Sequence, residues 1–256
     1  MDTLFVALVG LLSGMLVNYL ADVLPIHRGV TAPQCNACGT KYNLVNYLIW
    51  PRRCRVCAEG RRPLRSWIVE ALFIGSALWL WSAPPEKLGF VGGLVLLLYL
   101  GLVAVIDIEH RLILHVTSLA GAILGFGIGF WLHGLRDTIL GGLAGFVTML
   151  VLYGFGAALM GWLARKRGQK LEEEALGFGD VNLAGVLGFI LGWPGIMLGL
   201  ALTILLAGVV SLFYLLISIL VRRYRFDMAI PYGPFLISSA IVLLYFRDLV
   251  LIYLGW

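Results

Sequence analysis

Charge is what this chain has least of. Only 13% of its 256 residues are Asp, Glu, Lys or Arg, against about 25% in soluble domains. That scarcity excludes an ordinary water-soluble globule. Histidine is sparse, and the four cysteines are confined to one loop, which excludes a scaffold stapled throughout by disulfides. There is no glycine-rich strand-to-helix fingerprint for a nucleotide-like cofactor, no internal repeat and no low-complexity tract. No basic segment precedes the first apolar run, so no removable signal peptide is expected. The net charge of +5 is not read as nucleic-acid binding, because basic loops that set membrane orientation account for it. What is abundant is apolar: 61% of residues are hydrophobic and the mean hydropathy is +0.95. The expected class is an all-α membrane protein of about eight transmembrane helices with a small cytosolic loop subdomain.

The spans are expected near Thr3–Leu24, Trp67–Ala83, Leu88–Ile106, Val116–His133, Ile139–Ala164, Phe178–Leu191, Gly195–Val221 and Ala229–Phe246. The sixth is short. Orientation follows from the basic residues. Of the 19 Lys and Arg, only Lys87, Arg136 and Arg247 lie on one side of this alternation. The rest fall in Pro25–Ser66, Asp107–His115, Arg165–Gly177 and Arg222–Met228. The positive-inside rule puts that second set in the cytosol and both termini outside.

All four cysteines lie in the first cytosolic loop, as Cys35-Asn36-Ala37-Cys38 and Cys54-Arg55-Val56-Cys57, with 15 residues between the pairs. This is the spacing of a four-cysteine zinc site. Four thiolates close a tetrahedron and leave no position for a water, so the expected metal is structural, supplying folding energy to a loop too small for a core.

Two acids stand at membrane boundaries. Asp180 follows Gly177-Phe178-Gly179 at the start of the sixth span, and Asp107 ends the third. An ionisable side chain beside a span suggests function. The bland readings are that Asp180 is a helix N-cap and that Asp107 is a solvated helix end paired with Arg111. Both acids fall at the same depth on the cytosolic face. Two adjacent carboxylates do not both ionise readily, so one can act as base on a water while the other protonates a scissile carbonyl or leaving amine. Glu172-Glu173-Glu174, just ahead of Asp180, reads as a solvated run offsetting its basic neighbours. It is also expected to attract a basic substrate segment.

These residues resemble the bacterial type IV prepilin peptidases, membrane aspartyl proteases of the GxGD class, over nearly the whole chain. Gly177-Phe178-Gly179-Asp180 fits the GxGD motif, and Asp107-Ile108-Glu109-His110-Arg111-Leu112-Ile113 fits the segment of the first catalytic aspartate. Pro231-Tyr232-Gly233-Pro234-Phe235-Leu236 is similar to a late P-x-G-P-F segment. Cys35, Cys38, Cys54 and Cys57 fit the cysteine tetrad, and Glu70 matches a glutamate usual after it. Departures at Asp22, Leu114, His115 and Asn182 leave both acids in place.

The resemblance implies an inner-membrane endopeptidase that cuts the basic leader from prepilins and pseudopilins. N-methylation of the new terminus with S-adenosylmethionine would follow. It implies Asp107 and Asp180 as the catalytic pair, Gly177 and Gly179 as residues shaping it, and a substrate or methylation role for Glu70. The expected division is 1–24 as first helix, 25–66 as a methyltransferase-associated zinc loop, and 67–256 as peptidase core. Two competing readings are an ion- or proton-coupled transporter, which should show paired repeats with acids near the midplane, and a non-enzymatic assembly factor docking through the zinc loop.

Overall fold

The structure is a computed structural model that describes residues 2–35, 38–42, 47, 54, 56–57, 64–167, 177–220 and 231–246. The regular elements among them are helices: α1 (Thr3–His27), α2 (Leu64–Ser82), α3 (Gly89–His110), α4 (His115–Arg167), α5 (Phe178–Leu191), α6 (Gly195–Leu220) and α7 (Gly233–Tyr245). They fall into two compact units, Met1–Ile106 and Asp107–Trp256. By length and composition α1, α2, α3, α4 and α6 can cross a bilayer, whereas α5 and α7 are shorter apolar helices.

The first unit is built on α1 and α2. Gly10, Gly14 and Asn18, spaced by four, lie on one face of α1. A Cβ on Gly10 would stand 2.7 Å from the Phe73 carbonyl oxygen, and one on Gly14 would stand 2.8 Å from the Glu70 Cα. The two backbones therefore touch, as small residues allow where lipid supplies no hydrophobic drive between helices. Asn18 continues the stripe with polar contacts, its Nδ2 donating to the Ser66 carbonyl at 3.1 Å and to Glu70 Oε1 at 3.4 Å. Near the end of the stripe Arg65 pairs with Asp22 at 2.5 Å, and the Tyr47 hydroxyl donates to the same carboxylate. Gly101 of α3 closes on Phe73, whose ring would lie 2.9 Å from an added Cβ. α1 ends where Arg28 turns left-handed at φ 52°.

The second unit turns on one glycine. α4 is too long for a single span, and at Gly134 its backbone leaves the helical region, with φ 81° and ψ 173°. This combination is open essentially to glycine alone. The contacts on either side show the chain doubling back. Ahead of Gly134, Gly125 meets Val186 and Ile190, and Gly129 meets the Phe189 carbonyl. Beyond it, Gly141 meets Gly188, Gly145 meets Ala184, and the Tyr153 ring stands edge-on to Phe178 with centroids 5.9 Å apart. The second arm therefore runs antiparallel to α5, and the first contacts the same helix. The seam is glycine on glycine, since a Cβ on Gly188 would fall on the Gly141 carbonyl. α6 and α7 are joined by a buried hydrogen bond between Thr203 Oγ1 and Ser239 Oγ at 2.8 Å.

Each of the eight expected stretches overlies helix, but they are not eight full-length spans. The fourth and fifth are the two arms of α4, and the sixth and eighth correspond to α5 and α7. At 14 and 13 residues these two rise only about 20 Å. α3 also runs one turn beyond its expected end, so Asp107 lies within the helix.

Candidate active site

Asp180 is not the N-cap of α5. That position is Gly177, which has no side chain to offer. Asp180 is the third helical residue, and its carboxyl accepts a hydrogen bond from the Gly177 backbone N–H. This is the reach-back half of a capping box. The geometry leaves Asp180 8% exposed, at the positive end of a helix dipole. Asp107 is likewise no solvated helix end, being 5% exposed in the last turn of α3. Among the described residues it makes no ion pair with Arg111, which turns left-handed at φ 53° to end the helix. Its carboxyl instead accepts from the Gly233 backbone N–H, and its Oδ2 is buried with no hydrogen-bond partner among the described residues. The two carboxyls lie close enough for the charge of Asp107 to act on Asp180. Glu109 and His110, next along α3, are exposed.

The two motif glycines do different work. A Cβ on Gly179 would stand 2.8 Å from the Ile113 Cβ, tighter than any side chain there could accept. Gly179 thus lets the start of α5 lie against the segment that follows Asp107. A Cβ on Gly177 would meet only Asp180 Oδ2, at 3.5 Å, an ordinary contact.

The start of α7 also meets the pair. Tyr232, its N-cap residue, lies within electrostatic range of Asp180. Gly233 lies directly against Asp107. Sequence reasoning noticed this segment only through resemblance and assigned it no role. The available signal was Gly233-Pro234, a proline at the opening of a helix, which marks a third helix start to set beside Asp180.

In the first unit, the four cysteines come together with all four Sγ atoms within 4.8 Å of one another. Cys35 and Cys57 are 3.7 Å apart and Cys38 and Cys54 are 3.4 Å apart. Both are far beyond a disulfide's roughly 2.05 Å and near the ~3.8 Å edge of a tetrahedron with 2.3 Å zinc–sulfur bonds. The first pair sits on a tight knuckle, where Gly39 at φ 69° sends its N–H back to the Cys35 carbonyl at 2.8 Å. Hydrogen bonding with Thr40 holds the Cys38 thiol below its usual range, favouring the thiolate a metal needs. Glu70 is buried at the α1–α2 contact. Glu172, Glu173 and Glu174 lie outside the described residues.

The fold and the site so far define a helical membrane protein with two buried, mutually interacting aspartates and a cysteine cluster fit for a metal. A family model described as the type IV leader peptidase family matches residues 94–212. Three curated relatives are each called prepilin leader peptidase/N-methyltransferase. That from Aeromonas hydrophila is 29% identical over 84% of this chain and 71% of its own length. That from Pseudomonas aeruginosa is 30% identical over 84% and 71%. That from Pectobacterium carotovorum is 30% identical over 80% and 70%. The chain belongs to the type IV leader peptidase family. No solved structure gives a significant match.

Proposed function

We propose that the protein cleaves the leader of type IV prepilins and pseudopilins through water activated by Asp107 and Asp180, and that it then methylates the new N-terminus. The observation that carries the first step is a buried carboxyl pair on two helix ends, one oxygen of which has no hydrogen-bond partner among the described residues. Two such groups in a poorly solvated place share a proton. The ionised member takes a proton from water, and the oxygen attacks the scissile carbonyl carbon. The protonated member gives its proton to the carbonyl oxygen, and as the carbon–nitrogen bond breaks the departing amine receives a proton. No covalent nucleophile is required.

Cys35, Cys38, Cys54 and Cys57 would hold zinc, which with four thiolates supplies folding energy to the loop. Methylation is supported by family membership, and S-adenosylmethionine is the donor proposed. Five long apolar helices and the family support a multi-pass protein of the bacterial inner membrane, and the distribution of Lys and Arg supports a cytosolic site. The test is incubation of the membrane-embedded enzyme with a prepilin, with and without S-adenosylmethionine, followed by mass measurement of the product's N-terminus. Loss of the leader in both reactions, and about 14 Da more on the product only when the donor is present, is the expected result. An intact prepilin in both refutes the reading.

A further inference from the structure

Gly233 has a packing relation that its backbone does not explain. It is absent from the glycines with left-handed φ, so its conformation admits any L-residue. What forbids a side chain is Asp107. A Cβ built on Gly233 would fall on Asp107 Oδ2 and stand 3.0 Å from Cγ. The contact is with the functional end of the side chain, and that same Oδ2 is the buried oxygen without a partner. The Gly233 N–H meanwhile donates to the same carboxyl. Residue 233 thus both holds the carboxyl and, by having no side chain, gives it room.

We propose that Gly233 is the positioning residue for Asp107, setting where its carboxyl stands relative to Asp180 by letting the first turn of α7 lie directly on it. The proposal rests on the reading of Asp107 as a catalytic acid. It explains why a helix that carries neither acid begins at the acid pair. It also ties Tyr232, the next residue back and within range of Asp180, to the same arrangement. A methyl at residue 233 must push the carboxyl aside by about 1 Å to reach an ordinary contact, a misplacement that costs on the order of 100-fold in rate.

Two measurements on the full-length protein in detergent or liposomes test this. In prepilin cleavage, Gly233→Ala is expected to lower kcat about 100-fold while KM changes less than about twofold, since the leader and substrate helix are still bound. In thermal unfolding, Gly233→Ala is expected to lower the midpoint in the wild-type background and to have no such effect when Asp107→Ala has emptied the space. A Gly233→Ala protein that folds only in the Asp107→Ala background supports the proposal in the same way. Wild-type kcat in Gly233→Ala overturns it, as does a loss of stability that persists without the Asp107 carboxyl. A wild-type enzyme that fails to cut prepilin would instead sink the peptidase reading and leave the unfolding comparison standing.

Discussion

Glu70 in one unit and Asp107 in the other are both carboxyl side chains buried in apolar helices, and they are kept in different ways. Glu70, 4% exposed, is met by a side chain from the facing helix, the Asn18 amide, which is itself anchored on the Ser66 carbonyl. Asp107, 5% exposed, meets the backbone of Gly233, and among the described residues one of its oxygens has no hydrogen-bond partner. A carboxyl tied to a neighbour's side chain becomes part of how two helices recognise each other. A bare buried oxygen costs about 1–3 kcal/mol, and a native structure that carries one needs a reason for it. Burial alone therefore does not distinguish the two carboxyls, and among the described residues the oxygen of Asp107 left without a hydrogen-bond partner does.

Neutralising the pair is the hardest test of that contrast. Asp107→Asn and Asp180→Asn are each expected to reduce prepilin cleavage by about 10³-fold or more, with membrane insertion and bound zinc unchanged. Retained cleavage in either would end the two-acid mechanism. A serine pair at Cys35 and Cys38 probes the other unit. It is expected to remove bound zinc, measured by elemental analysis of the purified protein, and to abolish methylation, with cleavage falling less than about tenfold. Equal loss of both reactions would mean that the loop serves the peptidase as much as the transferase.

The motif glycines sharpen the contrast at shorter range. Gly179→Ala, whose methyl would press on Ile113, is expected to lower cleavage about tenfold. Gly177→Ala, with only an ordinary contact, should stay within about twofold in the same assay. Identical behaviour would show that the close approach of α5 to Ile113 does not matter. The smallest effect is expected at Glu70→Gln, which keeps the shape and hydrogen-bonding capacity of the side chain. Cleavage should change by less than about threefold, and an inactive Glu70→Gln would erase the distinction between the two buried carboxyls.

The helices were legible because a span is a matter of length and apolarity. The break at Gly134 was legible because Arg136 and Asp137 follow it within a few residues. The cysteine cluster was legible because metal geometry leaves few spacings. What could not be read was who packs against whom. On a soluble helix the polar face points away from the partner, but in a bilayer lipid and protein interior are equally apolar, so the facing side carries no mark. Gly179 against Ile113 and Gly233 against Asp107 are contacts of this kind. Spacing by four marks the stripe of Gly10 and Gly14 on α1, but Gly179 and Gly233 belong to no such stripe, and their importance lies in the atom that stands where a side chain would be. Asp180 falls in the helix that the sequence predicts, Phe178–Leu191, and the bland N-cap reading of it fails because Gly177 takes that position without a side chain.

α5 is a low pillar among taller ones. Its 14 residues rise about 21 Å, short of the roughly 30 Å of hydrocarbon, while the second arm of α4 passes the Phe178 end at Tyr153 and continues to Arg167. Most of the stub is buried by neighbouring helices, so its shortfall leaves a recess at its end that is walled by protein, where a polar lining is tolerated. Asp180 stands at the stub's opening turn, so in the proposed hydrolysis the water would come from that end and no tunnel would have to be built for it.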